Sequence, residues 1–395
     1  MQATAVLCLR DEGAFVLDWL AHHRTVGFSH VVICTNDCAD GTDLIADRLA
    51  ALGGVTHIRN DGPYHQAGIQ FTGLKLAGKV KPVRQADWLM ALDIDEFVNI
   101  HTGGHQLPDL IAALPGASAI TLTWRLFGNA GEIAWRDAPV PEVFTRAAPE
   151  VMHWPWRAQM FKTLYRNDGS FRQLGVHRPR GLRDGRAVQW RDGAGRTLDL
   201  QAHDRRVFSP LGQRHCRLAQ LNHYALGAME SFVLKSARGR AVHSDDRLGM
   251  DYWTDRNFNT EEDRSILRLG AEVAAERAGL AADPELALLH AAAVAWRHAR
   301  FAELMQTEDY RALFGRLMMT PPSHPLPRDA ARKLIAHARR SQRLSPWIGR
   351  IRQEFALFLG EFFQLSPKLS FNPEVIAQKP RALRGIDDAG HAEHI

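Results

Sequence analysis

The sequence predicts an α/β fold with a mostly parallel central sheet, followed by a helical C-terminal region. Between residues 3 and 124, short apolar segments alternate with amphipathic segments. Repetition of strand, helix and strand on this scale implies a parallel sheet with helices on both faces. From about Glu261 onward the apolar residues recur at helical spacing. We therefore divide the chain into a first domain, 1–259, and a helical region, 260–395.

Composition limits the function classes before any motif is considered. The 395 residues are 45% hydrophobic and 24% charged, which excludes collagen-like, coiled-coil and wholly disordered chains. The net charge of +5 is compatible with anionic ligands, but no nucleic-acid-binding motif accompanies it, so we expect no nucleic-acid partner. No segment reads as a secretion signal or reaches the ~18–20 apolar residues of a membrane span. We expect a cytoplasmic protein.

The elements of the first domain follow from periodicity and from glycine positions. A helix from Asp11 to Val26 places Val16, Trp19 and Leu20 on one face and ends at Gly27. Two further helices are predicted at 42–52 and 66–77. Apolar and β-branched segments predict strands at 3–9, 30–35, 55–59, 88–93 and 118–124, and later at 161–166 and 218–224.

Three carboxylates follow the apolar residues of the fourth strand, in the segment WLMALDIDEFV (88–98). Side chains alternate along an extended chain, so Asp93 and Asp95 are expected to face the same way. Two such carboxylates suit a divalent cation with oxygen ligands, Mn²⁺ or Mg²⁺, whose open positions can hold phosphate oxygens. The alternative is a solvated strand end without a metal.

The segment TNDCADGTD (35–43) ends the second strand and opens a helix. Asn36, Asp37 and Asp40 can hydrogen-bond a nucleotide base or ribose, or they can only cap the helix and form the turn. Ligands of parallel sheets bind beyond the carboxyl ends of the strands. That rule selects Arg10 after the first strand, together with the 36–41 loop and residues 93–96, as candidate ligand-binding residues.

Three segments resemble glycosyltransferase family 2-like proteins, and most closely their branch related to family 92. The segment CLRDEGAFVLDWLAHHRTVGFSHVVICTNDCADGTDLI (8–45) resembles the opening of that family. DIDEF (93–97) resembles its metal-binding Asp-x-Asp motif followed by Glu-Phe. LNHYALGAMESFVLKSARGR (221–240) resembles a later segment with His-Tyr, Phe-x-x-Lys and Arg-Gly.

The resemblance implies an A-type glycosyltransferase fold that uses a nucleotide-diphosphate sugar and inverts the anomeric centre. It implies that Asp40 contacts the nucleotide base, with Asn36 nearby. Asp93 would contact ribose or metal, and Asp95 would bind the metal directly. His223 falls where related folds place a histidine that contacts metal or diphosphate, although a lone histidine can also be structural.

The resemblance also implies a carboxylate base that activates the acceptor hydroxyl. Glu142 matches an acidic residue of the relatives, but Val143 stands where they have arginine. Glu96, Asp168 and Asp255 are the alternatives. Lys162 and His177 are candidates for phosphate or acceptor contact, and Lys162 could equally be a solvated strand residue.

The predicted acceptor is a glycan or a lipid-linked molecule. The segment RDAARKLIAHARRSQRL (328–344) is a basic helix that could rest on the inner face of an anionic membrane, or a solvated helix that packs lightly on the protein. Two other functions remain open from the sequence. One is a nucleotide-sugar-binding protein that has lost catalysis, and the other is a metal-dependent phosphoesterase or nucleotidyltransferase.

Overall fold

The computed structural model describes residues 1–64, 68–200, 206–239 and 248–342. The strands are β1 Ala3–Leu9, β2 His30–Thr35, β3 Val55–Arg59, β4 Trp88–Leu92, β5 Glu96–Ile100, β6 Ala119–Leu126, β7 Arg146–Ala147, β8 Phe161–Arg166, β9 Phe171–Gln173, β10 Arg180–Leu182, β11 Trp190–Asp192, β12 Ala219–His223 and β13 Glu261–Glu262. The helices are α1 Gly13–Val26, α2 Thr42–Leu52, α3 Ile69–Ala77, α4 Lys81–Gln85, α5 Leu107–Ala113, α6 Val140–Val143, α7 Met229–Arg238, α8 Met250–Thr254, α9 Gly270–Ala281, α10 Pro284–Leu304, α11 Glu308–Met319 and α12 Arg328–Gln342. Single 3₁₀ turns cover Trp156–Gln159 and Ser265–Leu269.

The central sheet has the order β3-β2-β1-β4-β8-β6-β12-β5, and β11 pairs with β6 outside that path. Strands β1 to β4 run parallel, as do the β6–β12 and β6–β11 pairs. Strand β8 is antiparallel to β4 and β6, and β5 is antiparallel to β12. The predicted fold class, a mostly parallel α/β sheet followed by helices, is confirmed.

Most predicted elements of the first domain are confirmed with small shifts in their bounds. The strands predicted at 3–9, 30–35, 55–59 and 161–166 and the helix at 42–52 have the observed bounds. Helix α1 ends at Gly27, whose φ of 114° is left-handed and whose N–H bonds the carbonyls of His23 and Arg24. Helix α3 is observed from Ile69, and the predicted start at residue 66 lies outside the described residues.

The segment after β4 differs from the prediction. Strand β4 ends at Leu92, residues 94 and 95 form a turn, and the chain returns to the sheet as β5, which begins at the fully buried Glu96. Reciprocal hydrogen bonds close this turn, from Asp93 N–H to Glu96 Oε2 and from Glu96 N–H to Asp93 O. The alternation of an extended strand therefore does not apply here. The expectation that Asp93 and Asp95 face the same way on that ground is wrong.

Helices α9 and α10 pack against α1 and α2 of the first domain. Leu280, Leu286 and Ala293 belong to the same buried cluster as Leu17 and Ile45. Ion pairs at the edge of this contact join Arg24 to Glu276, Arg48 to Asp283, and Arg277 to Asp18. The predicted division at residue 259 thus separates two stretches of chain that share one hydrophobic core.

The last described helix, α12, also packs on the protein. Its Ile335 is buried in a cluster with Trp156 and Phe208, while Leu334 remains exposed. The predicted basic residues beyond Gln342 lie outside the described part of the chain. Within the described ranges, no single helix has the length and apolar composition to cross a membrane, and one bent pair, Ser265–Ala281 with Pro284–Leu304, meets that test jointly.

Candidate functional site

A cavity of about 390 Å³ opens at the carboxyl ends of β1, β2 and β4. One side, the sheet wall, consists of charged residues from the turns after these strands: Arg10, Asp11, Glu12, Asp37 and Asp95. The opposite side, the helical wall, consists of charged residues of α7 and α10: Lys235, Arg238, Arg297, Arg300 and Glu303. The cavity lies where the rule for ligands of parallel sheets places it.

Asp95 lies at the centre of the contact between the two walls. Its Oδ2 accepts a hydrogen bond from Lys235 Nζ at 2.7 Å, and His223 Nε2 is 3.7 Å from the same oxygen. Burial by itself raises the pKa of this carboxyl, but the charges of Lys235 and His223 outweigh burial and hold the pKa well below its usual range. Asp95 is therefore ionised at neutral pH.

Asp93 points to a different set of partners. Lys162 Nζ donates to its Oδ2 at 2.8 Å, and Gln70 Nε2 donates to its Oδ1 at 3.0 Å. Lys162 is fully buried and also lies 3.4 Å from Glu96 Oε2. Lys162 is thus held in a buried ion pair of the sheet and is not the solvated strand residue that the sequence left open.

Glu96, an alternative base, has both carboxylate oxygens occupied. Trp124 Nε1 donates to Oε1 at 2.6 Å, and Asp93 N–H donates to Oε2 at 2.8 Å. Burial raises the pKa of Glu96 to about 8, although Lys162 acts in the opposite direction. These contacts give Glu96 a structural position under the turn, away from the residues that line the cavity.

The predicted metal ligands come together only in part. Asp95 and His223 are neighbours, and His223 is buried with its Nδ1 free of any hydrogen-bond partner in the described structure. Asp93 instead forms an ion pair with Lys162. The described residues contain no group of three His, Cys, Asp or Glu side chains that could hold a metal ion. The residues present offer a cation one carboxylate and one imidazole, so phosphate and water would have to supply its remaining ligands.

The loop after β2 contains Asp40, whose carboxylate is hydrogen-bonded within the protein, and Asp37, which is exposed at the cavity. Asp40 Oδ2 accepts from Gly13 N–H at 2.8 Å, and Oδ1 accepts from Thr42 N–H at 2.9 Å. Asp40 therefore joins the starts of α1 and α2, which is the capping alternative. Asn36 is buried and donates to Asp37 Oδ2. Asp37 is exposed at the cavity, and hydrogen bonds from Tyr64 and Asn36 lower the pKa of its carboxyl.

Arg10 lies at the end of β1 and lines the cavity. Its Nε is buried and has no hydrogen-bond partner in the described structure, and its ion pair with Asp11 is long, at 3.8 Å. Its carbonyl accepts from Arg238 Nη1, which also pairs with Glu12. The predicted ligand-binding residues Arg10, Asp37 and Asp95 are thus brought to one cavity.

The other predicted catalytic residues lie away from the cavity lining. Glu142 is exposed on α6, although its neighbours Val140 and Phe144 line the cavity. Asp168 accepts from Ser170 N–H in the β8–β9 turn. Asp255 follows α8, and His177 is hydrogen-bonded to the Phe161 carbonyl, with burial lowering its pKa to about 4.

The sequence did not identify the cations of the helical wall as site residues. Lys235 and Arg238 belong to the segment 221–240, whose Phe-x-x-Lys and Arg-Gly pattern could have indicated them. Arg297 has no comparable signal, because the helical pattern around it resembles that of any helix packed on a core. Only the docking of α10 brings it to the cavity.

No protein-family model matches the sequence, and no curated protein matches it. Among solved structures, TarS of S. aureus is 18% identical over 42% of this chain and 28% of TarS, with a TM-score of 0.26. TarS 1–349 in complex with UDP-GlcNAc is 17% identical, with 42% and 46% coverage and a TM-score of 0.26. A putative glucose-1-phosphate thymidylyltransferase from Bacillus anthracis is 8% identical, with 42% and 72% coverage and a TM-score of 0.25. The chain spans less than half the length of the TarS chains that it matches.

Proposed function

We propose that the protein is a glycosyltransferase that moves a sugar from a nucleotide-diphosphate sugar to an acceptor hydroxyl, with inversion. The observation that carries the proposal is the cavity at the carboxyl ends of β1, β2 and β4, where Asp95 and Lys235 meet. His223 Nε2 lies 3.7 Å from the same Asp95 oxygen. The resemblance of segments 8–45, 93–97 and 221–240 to family 2-like proteins, and to their branch related to family 92, supports it. Two of those segments supply the residues that meet at Asp95.

The two walls suit the two parts of such a donor. Arg10 and Asp37 lie at the ends of β1 and β2, where polar groups can hydrogen-bond a nucleoside. Lys235 and Arg238 supply positive charge across the cavity for a diphosphate. Asp40 belongs to the proposal as the residue that holds the β2 loop against α1, since its oxygens are already hydrogen-bonded.

Transfer requires that negative charge on the departing diphosphate be stabilised. Lys235 and Arg238 are held in place by Asp95 and Glu12, so they need little rearrangement when that charge develops. The proposal includes a divalent cation, Mn²⁺ or Mg²⁺, which Asp95 and His223 would hold and which would supply further positive charge. Asp93, committed to Lys162 and Gln70, is left out of that ligand set.

Glu142, the base that the resemblance implies, is not given that role in the proposal, because its carboxylate is exposed and absent from the cavity lining. Its neighbours Val140 and Phe144 form part of the rim of the cavity. A glycan or a lipid-linked acceptor would reach that rim from solvent.

One alternative is favoured by a specific observation. Because Glu142 is exposed and both oxygens of Glu96 are occupied, a nucleotide-sugar-binding protein without turnover is the second candidate. Transfer or hydrolysis of a sugar that binds in the cavity separates the two, because only an enzyme releases the nucleoside diphosphate. No described contact favours a phosphoesterase or a nucleotidyltransferase in the same way.

The test is calorimetric titration of UDP, GDP and their sugars, with and without Mn²⁺, against the wild type and Asp95→Asn. We expect one nucleotide to bind and, in the presence of Mn²⁺, its affinity to fall about 100-fold in Asp95→Asn, because the variant loses the carboxylate that would hold the cation. Asp47→Asn is the matched control, since Asp47 of α2 pairs with His57 and Arg59 of β3, away from the cavity. Absence of nucleotide binding to the wild type under every metal condition would contradict the proposal.

A further inference from the structure

Arg297 of α10 is a buried arginine that makes no ion pair with any residue that the structure describes. Its side chain lies 4.6 Å from the Phe15 ring centroid and 4.9 Å from that of Trp135, and the residue is 7% exposed. It forms no ion pair and no hydrogen bond in the described part of the chain, and its buried Nε has no partner there. The guanidinium lines the cavity.

The other cations of the helical wall are paired. Lys235 contacts Asp95, Arg238 contacts Glu12, and Arg300 contacts Glu303 at 2.5 Å. Burial lowers the pKa of Arg297 to about 10, although the charge of Glu12 acts in the opposite direction. The carboxylates of Asp40 and Glu230 act in the same direction as Glu12 without contacting Arg297. Arg297 therefore remains positively charged at neutral pH and differs from its neighbours in making no direct ion pair with a described carboxylate.

The aromatic contacts do not account for this placement. Stacking on Phe15 and Trp135 recovers part of the solvation that the guanidinium loses, but less than a buried charge needs. A buried charge is normally paired and hydrogen-bonded. Among the described residues, Arg297 therefore lacks the partner that a buried charge normally has.

The packing of α10 holds Arg297 at this place. A Cβ atom on Gly13 would lie 3.0 Å from Ala293 Cβ, so α10 approaches the start of α1 as closely as a glycine allows. Arg297 follows Ala293 by four residues and lies on the same face of α10. The contact therefore directs Arg297 toward the cavity beside Glu12 and Phe15.

We infer that Arg297 binds phosphate oxygens of a ligand in the cavity, so that the C-terminal helical region completes the binding site. The guanidinium presents a planar set of N–H donors that matches two oxygens of one phosphate. The identity of the ligand rests on the proposed function. The phosphate belongs either to the donor diphosphate or to a phosphorylated, lipid-linked acceptor.

The experiment is calorimetric titration of the full chain with inorganic pyrophosphate, UDP, GDP and decyl phosphate. Arg297→Met keeps an apolar stem between the rings and removes the charge, and Arg297→Lys keeps a charge without the planar donors. We expect Arg297→Met to weaken pyrophosphate binding about tenfold or more and Arg297→Lys to weaken it less. Arg311→Met is the control, because Arg311 pairs with Glu308 on α11 and lies outside the cavity lining.

Thermal unfolding without ligand separates a binding role from a structural role. If Arg297 were structural, Arg297→Met would lower the unfolding temperature. Removal of an unpaired buried charge should leave the unfolding temperature of Arg297→Met unchanged or raise it. Wild-type pyrophosphate affinity in Arg297→Met would overturn the inference, and so would a lower unfolding temperature that accompanies unchanged binding.

The four probes separate the two phosphate sources and the two proposals. Parallel loss of pyrophosphate, UDP and GDP binding assigns Arg297 to the donor diphosphate. Loss of pyrophosphate and decyl phosphate binding, with UDP and GDP binding retained, assigns it to the acceptor. If the wild type binds pyrophosphate through Arg297 but neither nucleotide, the glycosyltransferase proposal fails while the anion site stands.

Discussion

The sheet wall of the cavity carries four carboxylates and Arg10, whereas the helical wall carries four cations and Glu303 among the described lining residues. The sheet wall is built from turns that follow β2, β1 and β4, which are adjacent parallel strands, so its residues are close to one another by topology alone. The helical wall joins α7 to α10, whose facing residues are about 60 positions apart in the chain. The acidic half of the site thus follows from the order of the parallel strands, whereas the basic half depends on how α10 docks against the first domain.

The two walls are joined by ion pairs across the cavity. Asp95 contacts Lys235 at 2.7 Å, and Glu12 contacts Arg238. The side chains of Asp95 and Lys235 are each about one-fifth exposed. Removal of either partner leaves the other charge largely buried without its counter-charge, which is costly. The contribution of this ion pair to stability should therefore appear as a coupling energy between the two residues.

The largest expected effect comes from breaking this pair. Lys235→Met should lower the free energy of unfolding by about 2–3 kcal/mol, because Asp95 then lacks its main cation. Asp95→Asn should also destabilise the protein, and the double variant should cost about 1–2 kcal/mol less than the sum of the two. Urea denaturation of the four proteins measures the coupling. Additive losses would show that the walls are energetically independent.

A comparable effect is expected where α10 meets α1. Gly13→Ala places a Cβ 3.0 Å from Ala293 Cβ and 3.2 Å from Asp40 Oδ2, so these neighbours must move slightly away from the start of α1. We expect a loss of about 1–3 kcal/mol in unfolding free energy. Gly279→Ala in α9 is the control, since nothing lies within 4 Å of its Cβ, and it should be neutral or stabilise by up to about 1 kcal/mol.

The first domain also predicts a pH dependence of stability. His22 is buried, its Nε2–H donates to the Val98 carbonyl, and burial lowers its pKa to about 4. The unfolded chain binds the proton at its ordinary pKa of about 6.5, so stability falls as the pH drops below that value. Between about pH 7.5 and about pH 5 the loss from His22 is about 2 kcal/mol.

Denaturation of the wild type and His22→Gln at both pH values measures this loss. The variant should be less stable at neutral pH, and its stability should change less with pH. An identical slope in the two proteins would contradict burial of a neutral imidazole at this position.

The smallest effect is expected outside both walls. Glu142→Gln should change turnover by less than about twofold, because the side chain is exposed and absent from the cavity lining. Removal of a general base would lower turnover about 100-fold or more. A loss of that size, measured with a donor sugar that binds, would restore Glu142 as the base and require closure of the rim around Val140 and Phe144.

Local pattern was sufficient for much of the first domain. Apolar periodicity and Gly27 defined α1, and β-branched residues defined β2, because those signals act over a few neighbouring residues. Strand β5 was not predicted, because its first residue, Glu96, is charged, and a charged residue after an apolar segment indicates the end of a strand. The buried carboxylate accepts a local hydrogen bond from the Asp93 N–H, and Trp124 and Lys162 contact it from distant parts of the chain.

The residues of the site also fall into those that local pattern predicts and those that only tertiary contacts place. The strand pattern was enough to place Arg10, Asp37 and Asp95 after parallel strands and therefore at one edge of the sheet. That Asp93 turns to Lys162 while Asp95 meets Lys235 follows from the packing of distant elements. That packing also decided that a helix near residue 297 closes the cavity. Charge pairing across distant elements depends on packing geometry, which no local pattern of residues encodes.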